Sequence, residues 1–379
     1  MLTWVELDAL ALRWNLRQFR RRLGAGVALG AVVKSNAYGH GMTEVAALAE
    51  KHGVDWLCVN NVEEAVALRE TGHHGPVLVM GYVPLEALDR IVEHDLRPVV
   101  YNESTLERLE QLSTEREREV AVHLKVETGA NRQGIPPDRV VDLARRVQGT
   151  ERLRLEGIAT HFANIEDTTD HAFAQAQFAR FGKIFDALRA ASIEVPVRHA
   201  ACSAAAILFT RTHLDMARIG ISLYGLWPSR ETYVSCLRRE KPELDLRPVM
   251  TWKTRVAQIK EIAEGDYVGY GCTYRATRPS RVAVLPVGYH EGFDRGLSNV
   301  AHVLLHGRRA PVRGRVCMNM CMVDVTDIPG ARLEDEVVLL GAQGDERISA
   351  EQLASWCGTI AYEIVARVHP GLPRVVIEE

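Results

Sequence analysis

The sequence predicts an α/β protein, an N-terminal (β/α)8 barrel of the TIM type followed by a C-terminal domain rich in β-strands. Three observations carry this. Up to about residue 226, short β-branched and apolar runs alternate with segments of helical periodicity; the alternation yields eight candidate strands; and from about residue 245 short alternating strands with Gly and Asp turns take over. Alternating βα units imply a parallel sheet covered by helices, and eight of them are the number that closes a barrel. A doubly wound open sheet is the alternative that the same rhythm permits. The length of 379 residues exceeds what one compact domain usually holds, which supports two.

Taken in order, "ALGAVVK" (28–34) precedes "MTEVAALAEKHG", where Thr43 is the expected N-cap and Gly53 the terminator. "WLCVN" leads into "NVEEAVALRETG", "PVLVMG" into "PLEALDRIVEHD", and "RPVVYN" into "ESTLERLEQLSTERE". "VAVHLKVETG" precedes "PPDRVVDLARRVQG", "LEGIATHF" precedes the long "HAFAQAQFARFGKIFDALRAA", and "VRHAA" and "MARIGISLYG" complete the set. Beyond them, "TWKTRVAQIKEI", "RVAVLPVGY", "HVLLHGRRAPVRGRV", "MCMVDVT" and "EVVLLG" read as strands, and "SAEQLASWCGTIAYEIVARV" as one good helix. The polar stretch between the two regions holds the boundary, placed here at residues 1–240 and 241–379; the first dozen residues fit either domain.

Composition narrows the function. A net charge of −3 and a pI near 6.5 give no basic footprint for nucleic acid, and no Lys/Arg stripe interleaved with aromatics offers one. "MLTWVELDALALRWN" lacks a basic n-region followed by an apolar h-region, and no uninterrupted apolar run is long enough to cross a bilayer, so a cytoplasmic protein is expected. Seven scattered cysteines argue for reduced thiols, and the pair Cys317 and Cys321 lacks the companions of a structural zinc site. A small-molecule partner is the reading that remains.

In a barrel, the loops after the strands build the active site, so a polar residue closing a strand is placed for chemistry. Lys34 is such a residue. A lysine there is ordinarily a solvated charge, but small neighbours allow close approach, Tyr38 offers a hydroxyl to an anion, and a desolvated lysine condenses with carbonyls.

"AVVKSNAYGHG" resembles the pyridoxal-phosphate signature of alanine racemases. The resemblance recurs in order through "HLKVETGANRQG", "GIATHFA", "CSAAA", "ARIGISLYGL", "VGYGCTYRA", "VGYHEG" and "RVCMNMCMVDVT". It implies a barrel that binds pyridoxal 5′-phosphate (PLP), a C-terminal β domain and a head-to-tail homodimer acting on alanine. By the same resemblance, Lys34 carries the cofactor and serves as one catalytic base, and Tyr270 serves as the other, entering from the second subunit. A phenol ordinarily titrates near ~10, so it needs tuning to exchange protons at neutral pH; His161 and Arg218 are implied for that network. Arg218 also donates to the pyridine nitrogen, which limits the cofactor as an electron sink because arginine does not surrender its proton.

Tyr38, Ser203 and the backbone of Gly220 and Ile221 are implied at the phosphate, although Ser203 read alone is a helix cap. Arg132 is implied at the substrate carboxylate, with Met318 and its neighbour Cys317 from the other subunit, and Tyr289 at the entrance. Lys125 resembles a lysine that many members carbamylate. Three positions depart from the pattern: Asn319 stands where Asp is common, Cys202 where Asn is common, and Pro370 where some members place a gate tyrosine. A roomier pocket would admit serine or larger amino acids, since a methylene or hydroxyl discriminates modestly. The readings weighed are therefore an alanine racemase supplying D-alanine for peptidoglycan, a serine or broad-specificity racemase, and a non-catalytic PLP-binding barrel, against which the second domain and Tyr270 argue. A fold-related decarboxylase or metal-assisted lyase lacks its cysteine environment or His/Cys pair.

Overall fold

The computed structural model describes residues 1–238 and 244–378. The boundary drawn between residues 240 and 241 lies outside them. The chain gathers into two compact units, one of Met1–Leu12, Asn36–Glu44 and Arg247–Glu379, the other of Arg13–Ser35 and Val45–Leu246.

The first strand, β1 (Thr3–Asp8), belongs to the strand-rich unit. It pairs antiparallel with Met250–Arg255 (Val5 opposite Trp252) and parallel with Arg374–Ile377 (Val5 opposite Arg374), which settles a segment the sequence left open. Cys321–Asp324, Ser280–Leu285 and Gln258–Ile262 form a second, three-stranded antiparallel sheet. The strands His302–Leu305 and Arg308–Pro311 make a tight hairpin because His306 and Gly307 both adopt positive φ (+51° and +69°), the geometry that matches strand twist.

The other unit is the barrel. Its strands are β2 (Ala28–Val32), β3 (Trp56–Val59), β4 (Val77–Val79), β5 (Arg97–Val100), β6 (Val120–Lys125), β7 (Leu153–Ala159), β8 (Val197–His199) and β9 (Met216–Ile219). All eight expected strands are present, each pairing parallel with its neighbour in the order β8-β7-β6-β5-β4-β3-β2-β9. Between β8 and β9 there is no regular ladder. Asp215 N–H donates to Arg198 O and Arg218 N–H to Ala201 O (both 3.0 Å), and the Asp215 carboxylate clamps the Arg198 guanidinium, so the barrel is nearly closed. The strands are buried on both faces, as parallel strands under helices must be. Asn61 and Asn102 sit just past strands and N-cap the helices Val62–Glu70 and Glu103–Glu115, accepting from Glu64 N and Thr105 N.

Two local expectations are corrected. Thr43 is not an N-cap: the helix Met42–Lys51 already includes it, its hydroxyl donates to Glu44 Oε2, and the Met42 N–H goes to Asn36 Oδ1 (2.9 Å). The single C-terminal helix is two, Ala350–Cys357 and Ala361–Ala366, because Gly358 at φ +69° ends the first. Among the described residues, no helix is long and apolar enough to cross a membrane.

Candidate active site

β2 ends at Val32, and Lys34 opens the turn that follows. Ser35, Asn36, Ala37 and Tyr38 all have φ between +53° and +54°, so the turn winds left-handed. For L-residues this costs about 1–2 kcal/mol each, and only Asn36 is of a type that visits the region readily. Such a segment persists only where its surroundings fix it. At its head the Ser35 N–H donates to Glu64 Oε1 (2.5 Å). At its tail the Gly41 N–H donates to Asn36 O (2.9 Å), and His40 Nδ1 faces the carbonyls of Ala37 and Tyr38 (both 3.1 Å), which requires the proton on Nδ1. Burial pushes His40 down to about 4, so that neutral form holds at physiological pH. Gly39 is obligatory here: at φ +83° a Cβ would lie 1.9 Å from Val365 O. Arg374 then donates to Gly39 O (2.8 Å) and to the carbonyls of His369, Pro370 and Leu372, which fastens the segment to the C-terminal loop.

Lys34 is half-buried and its amine is held below the usual lysine range, first by burial and then by Arg132, with Glu64 opposing. A lysine amine of lowered basicity gives up its proton more readily, and the deprotonated form is the nucleophile and base. Lys125, closing β6, is pushed down to about 8 by burial, then by Arg218 and Arg132, and its Nζ donates to Gln133 Oε1 (3.1 Å). His161, just past β7, is driven well below its ordinary value by burial and by Arg218, Arg132, Lys125 and Lys34. The mouth is therefore an electropositive pocket in which the imidazole is neutral.

Beneath it, buried Arg218 donates through Nη1 to His199 Nδ1 and through Nη2 to Thr160 O (2.9 Å) and Ala200 O (3.3 Å). His199 Nε2 lies 2.9 Å from His123 Nδ1, and His123 Nε2 lies 3.2 Å from Glu156 Oε2. Ala121, His123 and Lys125 alternate along β6 and so share one face. Cys58 and Cys202, both near Arg218, are pushed up to about 12 by burial and stay neutral thiols.

Ser203 opens the helix Ser203–Leu208 without capping it; its Oγ instead accepts from the Gly220 N–H (3.0 Å), drawing together the two loops expected at a phosphate. Cys202 holds the N-cap position with no side-chain cap bond. Ile221 begins the next turn, Ile221–Tyr224, in which the buried Ser222 hydroxyl has no hydrogen-bond partner among the described residues. One activated amine, a buried guanidinium, and hydroxyl and backbone donors on adjoining loops make a donor set that fits a phosphorylated aldehyde such as PLP.

The strand-rich unit carries the remaining candidates. Tyr38 lies against Tyr362 (ring centroids 6.0 Å apart), and Pro370 lies in the loop held by Arg374. Tyr270 is 73% exposed, presented by a turn between Gly269 and Gly271, both at positive φ. Tyr289, Cys317 and Met318 are brought together: the Tyr289 N–H donates to Cys317 O (3.0 Å) and His290 N–H to Met318 O (2.9 Å), an approach that only Gly288 permits, since its Cβ would lie 2.1 Å from Cys317 O. Asn319 donates to Glu291 Oε1 (2.7 Å), whose other oxygen accepts from the Gly288 N–H, so the departure at Asn319 knits the same two loops.

Comparison with known proteins agrees with this arrangement. Residues 7–228 match the alanine racemase N-terminal domain and residues 249–376 its C-terminal domain. The chain is 41% identical to the alanine racemase of Halothermothrix orenii, covering 98% of this chain and 96% of that one, and 38% identical to that of Methanococcus maripaludis, covering 99% and 98%. Among solved structures, the alanine racemase of Clostridium difficile 630 superposes with a TM-score of 0.94 at 32% identity, covering 100% of this chain and 96% of that one. The alanine racemase of Bacillus anthracis with bound L-Ala-P superposes with a TM-score of 0.91 at 32% identity, covering 100% and 95%. With both of its domains matched in order and relatives aligned over nearly its whole length, the chain belongs to the alanine racemase family.

Proposed function

We propose that this enzyme interconverts L- and D-alanine with PLP, using Lys34 and Tyr270 of the partner subunit as bases on opposite faces of the substrate. The observation that carries the reading is the placement of Lys34 just past β2 at the barrel mouth, at the head of a left-handed turn fixed by Glu64. When bound, PLP would supply the electron withdrawal that acidifies the Cα–H. Lys34 would hold the cofactor; Ser203, Gly220, Ile221 and Tyr38 would receive its phosphate, and Arg218 its ring nitrogen.

A single base would return the proton to the face it came from, so inversion needs a second carrier. Tyr270 is exposed on a glycine-flanked turn, which suits delivery into a second copy of the chain. That requires a homodimer in which each site is shared. Arg132 would anchor the substrate carboxylate, with Met318 and Cys317 of the partner subunit beside it, and Tyr289 would line the entrance. Neutral His161 would accept the phenol's hydrogen bond without competing for its proton. D-alanine made in the cytoplasm would supply peptidoglycan synthesis.

The test is chiral analysis of PLP-loaded protein incubated separately with L-alanine and L-serine in deuterated water. D-alanine carrying deuterium at Cα, formed faster than D-serine, is expected; faster serine turnover would move the assignment to a broader racemase. Tyr270→Phe should retain PLP while slowing exchange from L-alanine by about a hundredfold, within the usual range for a lost general base, and unchanged exchange would remove Tyr270 from the mechanism.

A further inference from the structure

Glu64 sits in the first turn of Val62–Glu70, where a glutamate ordinarily reaches back to cap its own helix. Here one oxygen does so in part: Oε2 accepts from the Asn60 N–H (2.7 Å), just past β3. The other crosses to the neighbouring loop, where Oε1 accepts from the Ser35 N–H at the head of the left-handed turn. Both ends of this bridge are anchored. The Glu64 N–H is held by Asn61 Oδ1 (2.9 Å), and Asn60 O accepts from the Gly81 N–H (2.8 Å) so closely that a Cβ on Gly81 would lie 2.3 Å away. Behind Lys34, the Val33 N–H donates to Cys58 O (2.9 Å). Lys34 is therefore flanked by a β-ladder bond on one side and the Glu64 bridge on the other.

We propose that Glu64 is a positioning residue for Lys34, its carboxylate bridging Ser35 N–H and Asn60 N–H so that the amine is presented from a left-handed turn that the local sequence would not adopt alone. The inference rests on Lys34 being the cofactor-binding lysine. The charged groups that bear on Lys34 are Arg132, which favours the neutral amine, and Glu64, which favours the ammonium, with Lys125 and His161 close enough to sense its charge. Geometry and charge act in opposite directions. Loss of Glu64 would make the amine less basic yet misplace it, and misplacement by about 1 Å outweighs a modest change in basicity.

The test compares wild type, Glu64→Gln and Glu64→Asp as full-length protein stripped of cofactor, with Glu63→Gln as control, since Glu63 is exposed and pairs only at the surface with Arg90. A glutamine has one acceptor oxygen for two N–H groups, and an aspartate is a methylene short. Three readouts are made: the rate at which Lys34 captures PLP covalently, followed by absorbance; the binding of pyridoxamine 5′-phosphate, which has no aldehyde to capture; and amide exchange at Ser35 and Asn60. Capture about tenfold slower or more in both Glu64 variants, with pyridoxamine 5′-phosphate binding within about twofold of wild type and faster exchange at both amides, is expected. Unchanged capture overturns the proposal. Equal loss of both ligands overturns it too, because Glu64 would then serve the fold and not the lysine. A wild-type protein that captures no PLP sinks the cofactor reading itself, a result distinct from either.

Discussion

Arg218 donates to His199 Nδ1, and since a guanidinium has no acceptor, His199 carries its proton on Nε2. That proton points at His123 Nδ1, which must accept it, leaving His123 to donate from Nε2 to Glu156. One donor thus fixes two tautomers across the barrel interior and ends on a carboxylate held down to about 2 by its histidine and arginine partners against the cost of burial. Reversing the first link reverses the logic. Arg218→Glu would place an acceptor where the cofactor's ring nitrogen is expected, allowing that nitrogen to hold a proton and deepening the electron sink. Pyruvate formed per racemisation event should rise by about tenfold or more while racemisation falls, a shift of roughly 1.4 kcal/mol between two barriers. Pyruvate assay against chiral analysis checks it, and an unaltered ratio would free Arg218 from this role.

Three buried histidines and the half-buried His161 give the fold a pH dependence of definite sign. His40 is held at about 4, and His123, His161 and His199 are also lowered, in each case by burial first. Their unfolded-state value is near ~6.5, so below that pH the unfolded chain takes up protons that the folded one refuses. The stability from these groups is fully present above pH ~6.5 and is lost as pH falls toward the folded values; for His40 alone the loss at pH 5 is roughly 2 kcal/mol. Urea unfolding at pH 7.5 and pH 5 should show the midpoint fall with an unchanged slope. His40→Asn, whose amide nitrogen takes the place of Nδ1 as donor, should reduce that fall; an identical pH dependence in the variant would show that His40 does not contribute.

Much of this was open to reading because strands and their terminal residues repeat on a regular plan. Each β-branched run ended in a turn; Lys34, Lys125 and His161 lie at or just beyond strand ends and Arg218 one residue before the end of its strand, where a barrel assembles its chemistry. What escaped notice was set by long-range contacts. Nothing in "SNAY" announces four successive positive φ values, because Glu64, Gly39 and His40 impose them. His123 did leave a signal: in "VAVHLK" the residues Ala, His and Lys occupy alternate positions of one face, and a polar residue facing a barrel interior needs a partner. Its partner His199 is 76 residues away, beyond any local pattern.

Lys125 has the surroundings of a lysine that carries carbon dioxide. Its amine, at about 8, is neutral in about a tenth of molecules at pH 7, and the neutral amine is the form that adds to CO2. In that step the neutral amine's nitrogen bonds the carbon of CO2 and loses one proton to solvent; counted from the ammonium, two protons leave in all, and a carbamate of charge −1 replaces a charge of +1. Arg218, Arg132 and Lys34 all disfavour the ammonium, with Glu127 the opposing charge, so the exchange relieves repulsion and creates attraction in one step. Among the described residues, the one hydrogen bond made by Nζ goes to the Gln133 amide oxygen, and Gln133 in turn donates to Tyr101 OH (3.2 Å). A carbamate there would hold Arg132 toward the substrate carboxylate. Protein equilibrated with 13C-bicarbonate should show a carbamate resonance that is missing from Lys125→Ala, and that variant should raise the KM for alanine by about tenfold, the usual scale for losing a charged hydrogen-bond partner. A wild-type spectrum with no such resonance at saturating CO2 would leave Lys125 as a plain amine, and a KM unmoved in the variant would show that Arg132 orients itself unaided.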